Sequence, residues 1–182
     1  MNNYHKIDQD FNYVSPFLKK ALIQYAKNLN NDCCLDIPCG NGRNTFLLAK
    51  YFRNVTAIDI NELYLRAIKS AINSYMPTGQ ITTIHADVLK LIDIAVSSNQ
   101  FICNIHFYNY SLAEYILTSM AKNSLLLLET PTCGGENFRA LPNEDELQTL
   151  FARHKMLHYD FRLCNRVENN DKRGSLKALI QS

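Results

Sequence analysis

CCLDIPCGNGRNTFLLAKYFRNVTAIDI, residues 33–60, decides how this chain folds. Its opening residues are a short apolar run that stops at Pro38, with glycines following at Gly40 and Gly42, so a strand over 33–37 ends in a tight turn. Over 44–52 the residues Phe46, Leu47, Leu48, Tyr51 and Phe52 recur at three-to-four spacing, the pattern of a helix packed on that strand. Residues 55–60 are short and β-branched, a second strand carrying one acid, Asp59, near its end. The unit is a β-α-β.

Two glycines in such a turn let a ligand approach the backbone, because no Cβ holds it off and positive φ costs little. Asp59 stands nineteen residues after Gly40, close to the roughly 20-residue spacing at which a nucleotide-binding β-α-β sets a carboxylate against ribose hydroxyls. The ligand is therefore adenosine-like. A dinucleotide site would want a third glycine and a helix start clear for phosphates, whereas Arg43 and Asn44 follow Gly42 here. Asp36 at the strand end opposes a diphosphate and attracts an amine or a sulfonium. S-adenosylmethionine carries both cations and no phosphate, and a nicotinamide-dependent oxidoreductase is disfavoured.

LDIPCGNGRNTFLLA followed by VTAIDI resembles the first two motifs of the Rossmann-like, class I S-adenosylmethionine-dependent methyltransferases. The GNGRN version is similar to the tellurite-resistance-type enzymes among small bacterial methyltransferases. The resemblance implies a three-layer α/β fold with a seven-stranded, mostly parallel sheet in the order 3-2-1-4-5-7-6 and an antiparallel last strand.

The 182 residues suffice for one domain with a full core. An N-terminal cap segment and helix is expected over 1–30 and the methyltransferase domain over 31–182. The formal charge is +2 with acids and bases interspersed, so neither a nucleic acid nor a membrane surface is expected as partner. The longest apolar run, residues 125–128, is far below a membrane span. The N-terminus lacks a basic start and an apolar core, so no secretory signal is expected. None of the six cysteines forms a C-x-x-C pair, which favours reduced thiols in a cytoplasmic protein over a metal site.

Along the chain, Ser15-Pro16 opens a helix to about residue 29 with Phe17, Leu18, Leu22 and Tyr25 on one face. Asn61 caps a helix carrying Leu63, Leu65, Ile68, Ala71 and Ile72. Strands follow over 81–85, 101–106 and 124–129, with a helix over 111–120 before the last of these. Asn123 stands where relatives carry a glycine and tolerates the left-handed turn. Asn143 with Glu146 makes a capping-box-like helix start after a loop containing Arg139, a candidate acceptor lid. Alternation over 156–163 and 175–180 predicts a final hairpin around the charged segment 165–173.

The resemblance assigns Asp36, Pro38 and the Gly40, Asn41, Gly42 backbone to the methionine end of the cofactor. Asp59 with Ile60 falls to the ribose side and Asp87 with Val88 to the adenine, although Asp87 can instead cap a short helix after it. His106, Phe107, Tyr108 and Asn109 are expected to line the methyl side, with His106 also among the cofactor contacts. Asn109 stands where one subgroup has a histidine, so His106, Tyr108 and Asn109 are the catalytic candidates if a general base is used. Arg43 can reach the cofactor carboxylate, the acceptor or solvent. The expected activity is methyl transfer to a small molecule; the competing reading is a cofactor-binding protein without turnover.

Overall fold

The computed structural model describes residues 13–90, 95–132, 142–165 and 172–182. Seven strands form one sheet in the order β3-β2-β1-β4-β5-β7-β6, as the resemblance implied. Strands β1 (Cys33–Asp36), β2 (Asn54–Asp59), β3 (Gln80–His85), β4 (Phe101–Ile105) and β5 (Leu125–Pro131) are parallel. β7 (Lys172–Gln181) lies antiparallel between β5 and β6 (Lys155–Asn165).

Successive strand residues point to opposite faces, and two helical layers use both. Cys34, Phe101, Cys103, Leu125, Leu127 and Leu179 face the side that carries α1 (Pro16–Tyr25) and α2 (Arg43–Leu48). α3 (Glu62–Tyr75) joins that layer through Leu65, Ile68 and Ala71, packed on Ala57 of β2. Leu35, Ile102, Leu126, Leu128 and Ile180 face α4 (Tyr110–Ser119) and α5 (Glu144–Phe151). β4 and the start of β5 are covered on both sides, which is why their apolar residues are consecutive rather than alternating, with Asn104 the one polar residue of β4.

α1 is part of this core. Ser15 caps it, its Oγ accepting from the Leu18 N–H at 3.1 Å, and Pro16 occupies the first turn. Leu18 and Leu22 are sealed against the sheet layer, each contributing roughly 1.5–3 kcal/mol by burial.

Three boundaries differ from expectation for physical reasons. α2 stops at Leu48 although Tyr51 and Phe52 keep the helical spacing. The Tyr51 and Phe52 N–H groups both return to the Leu48 carbonyl, at 2.8 and 2.9 Å, tightening the chain so that Asn54 can pair with Asp32. β6 and β7 run past the predicted ends, because backbone pairing continues beyond the alternating side chains. The segment 166–171 of the expected loop, residues 1–12 and the Arg139 loop (133–141) lie outside the described residues. Asn123 adopts φ 65, the left-handed turn predicted for it.

Candidate functional site

The turn after β1 is pinned from two sides. The Ile37 N–H donates to the Cys103 carbonyl at 2.9 Å and the Cys39 N–H to the Ile58 carbonyl at 2.8 Å, locking the turn between β4 and β2. The Ile37–Pro38 peptide is cis. Gly40 and Gly42 have φ 54 and 87, where a side chain would be strained. Beyond that they serve different ends. Among the described residues a Cβ on Gly40 would meet nothing within 4 Å, so they leave the backbone there open to approach. A Cβ on Gly42 would stand 2.5 Å from Ile68 Cγ1, so this glycine lets α2 close onto α3. Pro38 is half-buried and Asn41 exposed on the same turn.

Asp59 ends β2 and holds the turn in place. Its Oδ2 accepts from the Gly40 N–H and its Oδ1 from the Asn61 N–H, each at 2.8 Å. A carboxylate has about four acceptor sites, so each oxygen keeps capacity for a ribose hydroxyl. Ile60, next in sequence, is 63% exposed, an apolar face at the strand end. The Ala86 N–H donates to the Asp59 carbonyl at 3.0 Å and brings Asp87 and Val88 alongside. Asp87 does cap its own turn, accepting from the Leu89 N–H at 3.0 Å, with Lys90 Nζ 3.5 Å from its other oxygen. Val88 is buried.

Asp36 sits differently. It shares the Cys34 face of β1, is 1% exposed, and accepts from Thr45 Oγ1 of α2 at 2.6 Å and from the Cys103 thiol. Burial pushes its carboxyl up to about 7 against those two hydrogen bonds, and the neighbouring Asp59 charge adds to the rise. Asp36 therefore braces the start of α2 beneath the turn.

The end of β4 contributes His106, exposed at φ 63, its N–H bonded to the Glu129 carbonyl at 2.7 Å. Partial desolvation and the Arg43 charge hold its imidazole below the ordinary histidine value, partly offset by Glu129. Of the residues that follow, Phe107 packs against the α4 and α5 layer. Tyr108 is buried, donates its hydroxyl to Glu146 of α5, and has its phenol pushed up by burial and that bond. Glu146 is thus occupied by Tyr108, while its N–H still donates to Asn143 Oδ1 at 2.8 Å. Asn109 is the N-cap of α4, its Oδ1 accepting from the Leu112 N–H at 3.0 Å. The structure brings His106, Arg43 and Glu129 together but commits the Tyr108 hydroxyl and the Asn109 amide oxygen to the scaffold.

Two features escaped the sequence reading. Ser15 donates its hydroxyl to Glu129, which Lys177 approaches at 3.7 Å, so α1 is fastened beside the crevice. Asn104 of β4 is buried, and its Oδ1 is an orphan acceptor among the described residues. Among the same residues no group of three or more His, Cys, Asp or Glu could hold a metal ion, and no helix is long and apolar enough to cross a membrane.

An open backbone approach at Gly40, a ribose-competent carboxylate at Asp59 and, among the described residues, an unsatisfied buried amide oxygen at Asn104 of β4 fit an adenosyl ligand with a polar amino-acid tail. Fold and site thus define a Rossmann-like domain of the methyltransferase type, with strand order 3-2-1-4-5-7-6. Residues 34–123 match the family described as methyltransferase domain, and the chain has the fold of the class I S-adenosylmethionine-dependent methyltransferases. A search of curated proteins finds no significant match. Among solved structures the chain is similar to TehB from Haemophilus influenzae, with 18% identity and a TM-score of 0.72 over 90% of this chain and 62% of that one. TYW2 from M. jannaschii, solved with AdoMet, shares 16% identity at a TM-score of 0.58, over 93% of this chain and 78% of that one. The structure of aTrm5 with tRNALeu shares 18% identity at 0.64, over 93% of this chain and 47% of that one. At these identities the likeness is one of fold.

Proposed function

We propose that the chain transfers a methyl group from S-adenosylmethionine to a small-molecule acceptor by in-line displacement. The observation that carries this reading is the clasp between Asp59 and the Gly40 N–H beside an approach that no described side chain fills. Asp59 would hold the ribose hydroxyls, Ile60 and Val88 the faces of the adenine, and Asp87 its amino group. The backbone of residues 40–42, with Pro38 and Asn41, would hold the methionine end, with Arg43 near its carboxylate. Bound there, the cofactor supplies an activated methyl on a sulfonium. The chain's own contribution is positioning and exclusion of water, which can lower a barrier by roughly 7–11 kcal/mol. Asp36 acts from below, bracing the start of α2 under the turn through its bond with Thr45 Oγ1. His106, held neutral near pH 7, would take the proton of an acceptor that must lose one.

A small acceptor is favoured over RNA by the interspersed charges and the net charge of +2, although the fold does not choose acceptors. Transfer of labelled methyl across a panel of thiols, amines and bulk RNA, with the parent and Asp59→Ala, tests the reading. Label should reach a small molecule, and the folded variant should lose cofactor affinity. Labelling of RNA alone would overturn the acceptor class, tight binding with no labelled product would favour the non-catalytic reading, and unchanged affinity in Asp59→Ala would overturn the site.

A further inference from the structure

β4 is the middle strand of the sheet, all of its residues are buried, and Asn104 alone among them is polar. Alternation puts the Asn104 side chain on the face of Ile102, toward the α4 and α5 layer. Its neighbours across the sheet on that face are Leu128 of β5, its partner in register, and Ile37, which follows the Asp36 paired with Cys103. Both are apolar. Asn104 is 3% exposed, and among the described residues its Oδ1 accepts no hydrogen bond.

A buried amide oxygen without a donor destabilises a fold, and leucine, close to asparagine in shape, would fill the space without that cost. Residues that break a local rule in this way concentrate where a chain gives up stability for a site. The position of Asn104 agrees. It stands one residue short of the end of β4 and two before His106. The face it shares holds Ile37, which leads into the turn given above to the methionine end, and Val88, given to the adenine. Among the residues given to the cofactor, none supplies a side-chain acceptor to the ammonium. The adenine amino group has Asp87, whose Oδ1 already accepts from the Leu89 N–H. An acceptor lacking a donor thus lies beside donors lacking acceptors. On the reading of this crevice as the S-adenosylmethionine site, we infer that Asn104 is a specificity residue for the cofactor, its amide oxygen accepting from an N–H donor of the bound molecule, the ammonium or the adenine amino group.

The test pairs urea denaturation of the ligand-free protein with calorimetric titration of S-adenosylhomocysteine into the parent and Asn104→Leu. Asn104→Val, which asks for less room, is carried in parallel, and the more stable of the two variants is the one compared. That variant should unfold at higher urea than the parent, yet bind S-adenosylhomocysteine at least about tenfold more weakly. Two analogues tell the donors apart: one with hydrogen in place of the ammonium, and S-inosylhomocysteine, with oxygen in place of the adenine amino group. The substitution should cost nothing against the analogue that lacks the donor facing Asn104, and its full factor against the other. Equal loss against both analogues, or equal affinity of parent and variant for S-adenosylhomocysteine, would overturn the inference and leave the cofactor reading standing. So would a variant less stable than the parent, the result expected of an amide whose partner is a buried water. A parent that binds no S-adenosylhomocysteine would overturn both.

Discussion

Asp36→Asn should change how the stability of this protein depends on pH. The unfolded carboxyl ionises near 3.8 and the folded one near 7, raised by burial between β1 and α2. Between those values the folded chain keeps a proton that the unfolded chain has released, so raising the pH through that window favours unfolding. The stability associated with the protonated acid is complete below 3.8 and is lost by the time the pH passes about 7. At about 1.4 kcal/mol per pH unit the loss is on the order of 4 kcal/mol. Asparagine has nearly the same shape, still accepts from Thr45 Oγ1, and cannot ionise. Urea denaturation of both proteins, followed by circular dichroism from about pH 4 to about pH 8, isolates the effect as a difference. The variant should be close to the parent at the acidic end and more stable at the basic end, by up to that amount. Parallel curves for the two proteins would refute the burial argument, as would a variant that loses ground as the pH rises.

Four further outcomes follow from the site. Gly40→Ala should cost only the left-handed backbone penalty, about 1–2 kcal/mol, yet lower cofactor affinity at least about tenfold by calorimetry, because its methyl enters the open approach. Gly42→Ala should destabilise more and regain part of the loss when paired with Ile68→Val, measured as a double-mutant cycle in urea. His106→Asn, which keeps a residue tolerant of φ 63, should abolish an ascending limb of the pH–rate profile. That limb lies below the ordinary histidine value of 6.5 in the parent, since the neutral ring is the active form; a limb that survives the substitution would remove His106 from proton transfer. Tyr108→Phe should lower the thermal midpoint, leaving the Glu146 carboxylate without its donor, and leave turnover unchanged.

The sheet was legible because its parallel strands are short, apolar and separated by capped helices. Asn61, Asn123 and Asn143 stand where the caps and the left-handed turn they predicted are found. The end of α2 was not legible, since Tyr51 and Phe52 keep helical spacing while their N–H groups serve a turn. Asp36 was visible as an acid at a strand end, but spacing from the glycines says nothing of which face it takes. Strand alternation with Cys34 does, and it points the carboxylate under α2. Asn109 was read as a site residue because a family pattern was laid over it; its own context, an asparagine three residues before Leu112 at a helix start, is a cap signal. The bond between Ser15 and Glu129 spans 114 residues and has no local signature at all.

That bond bears on where the domain can be cut. The recognised family segment begins at residue 34, yet excision there would strip Val14, Phe17, Leu18, Ala21, Leu22 and Ala26 from the sheet and leave a naked apolar surface. Glu129 would lose its hydroxyl donor and face Lys177 alone. The cooperative unit is therefore larger than the homologous one, and a truncated gene product drawn to the family's limits is an invitation to aggregation.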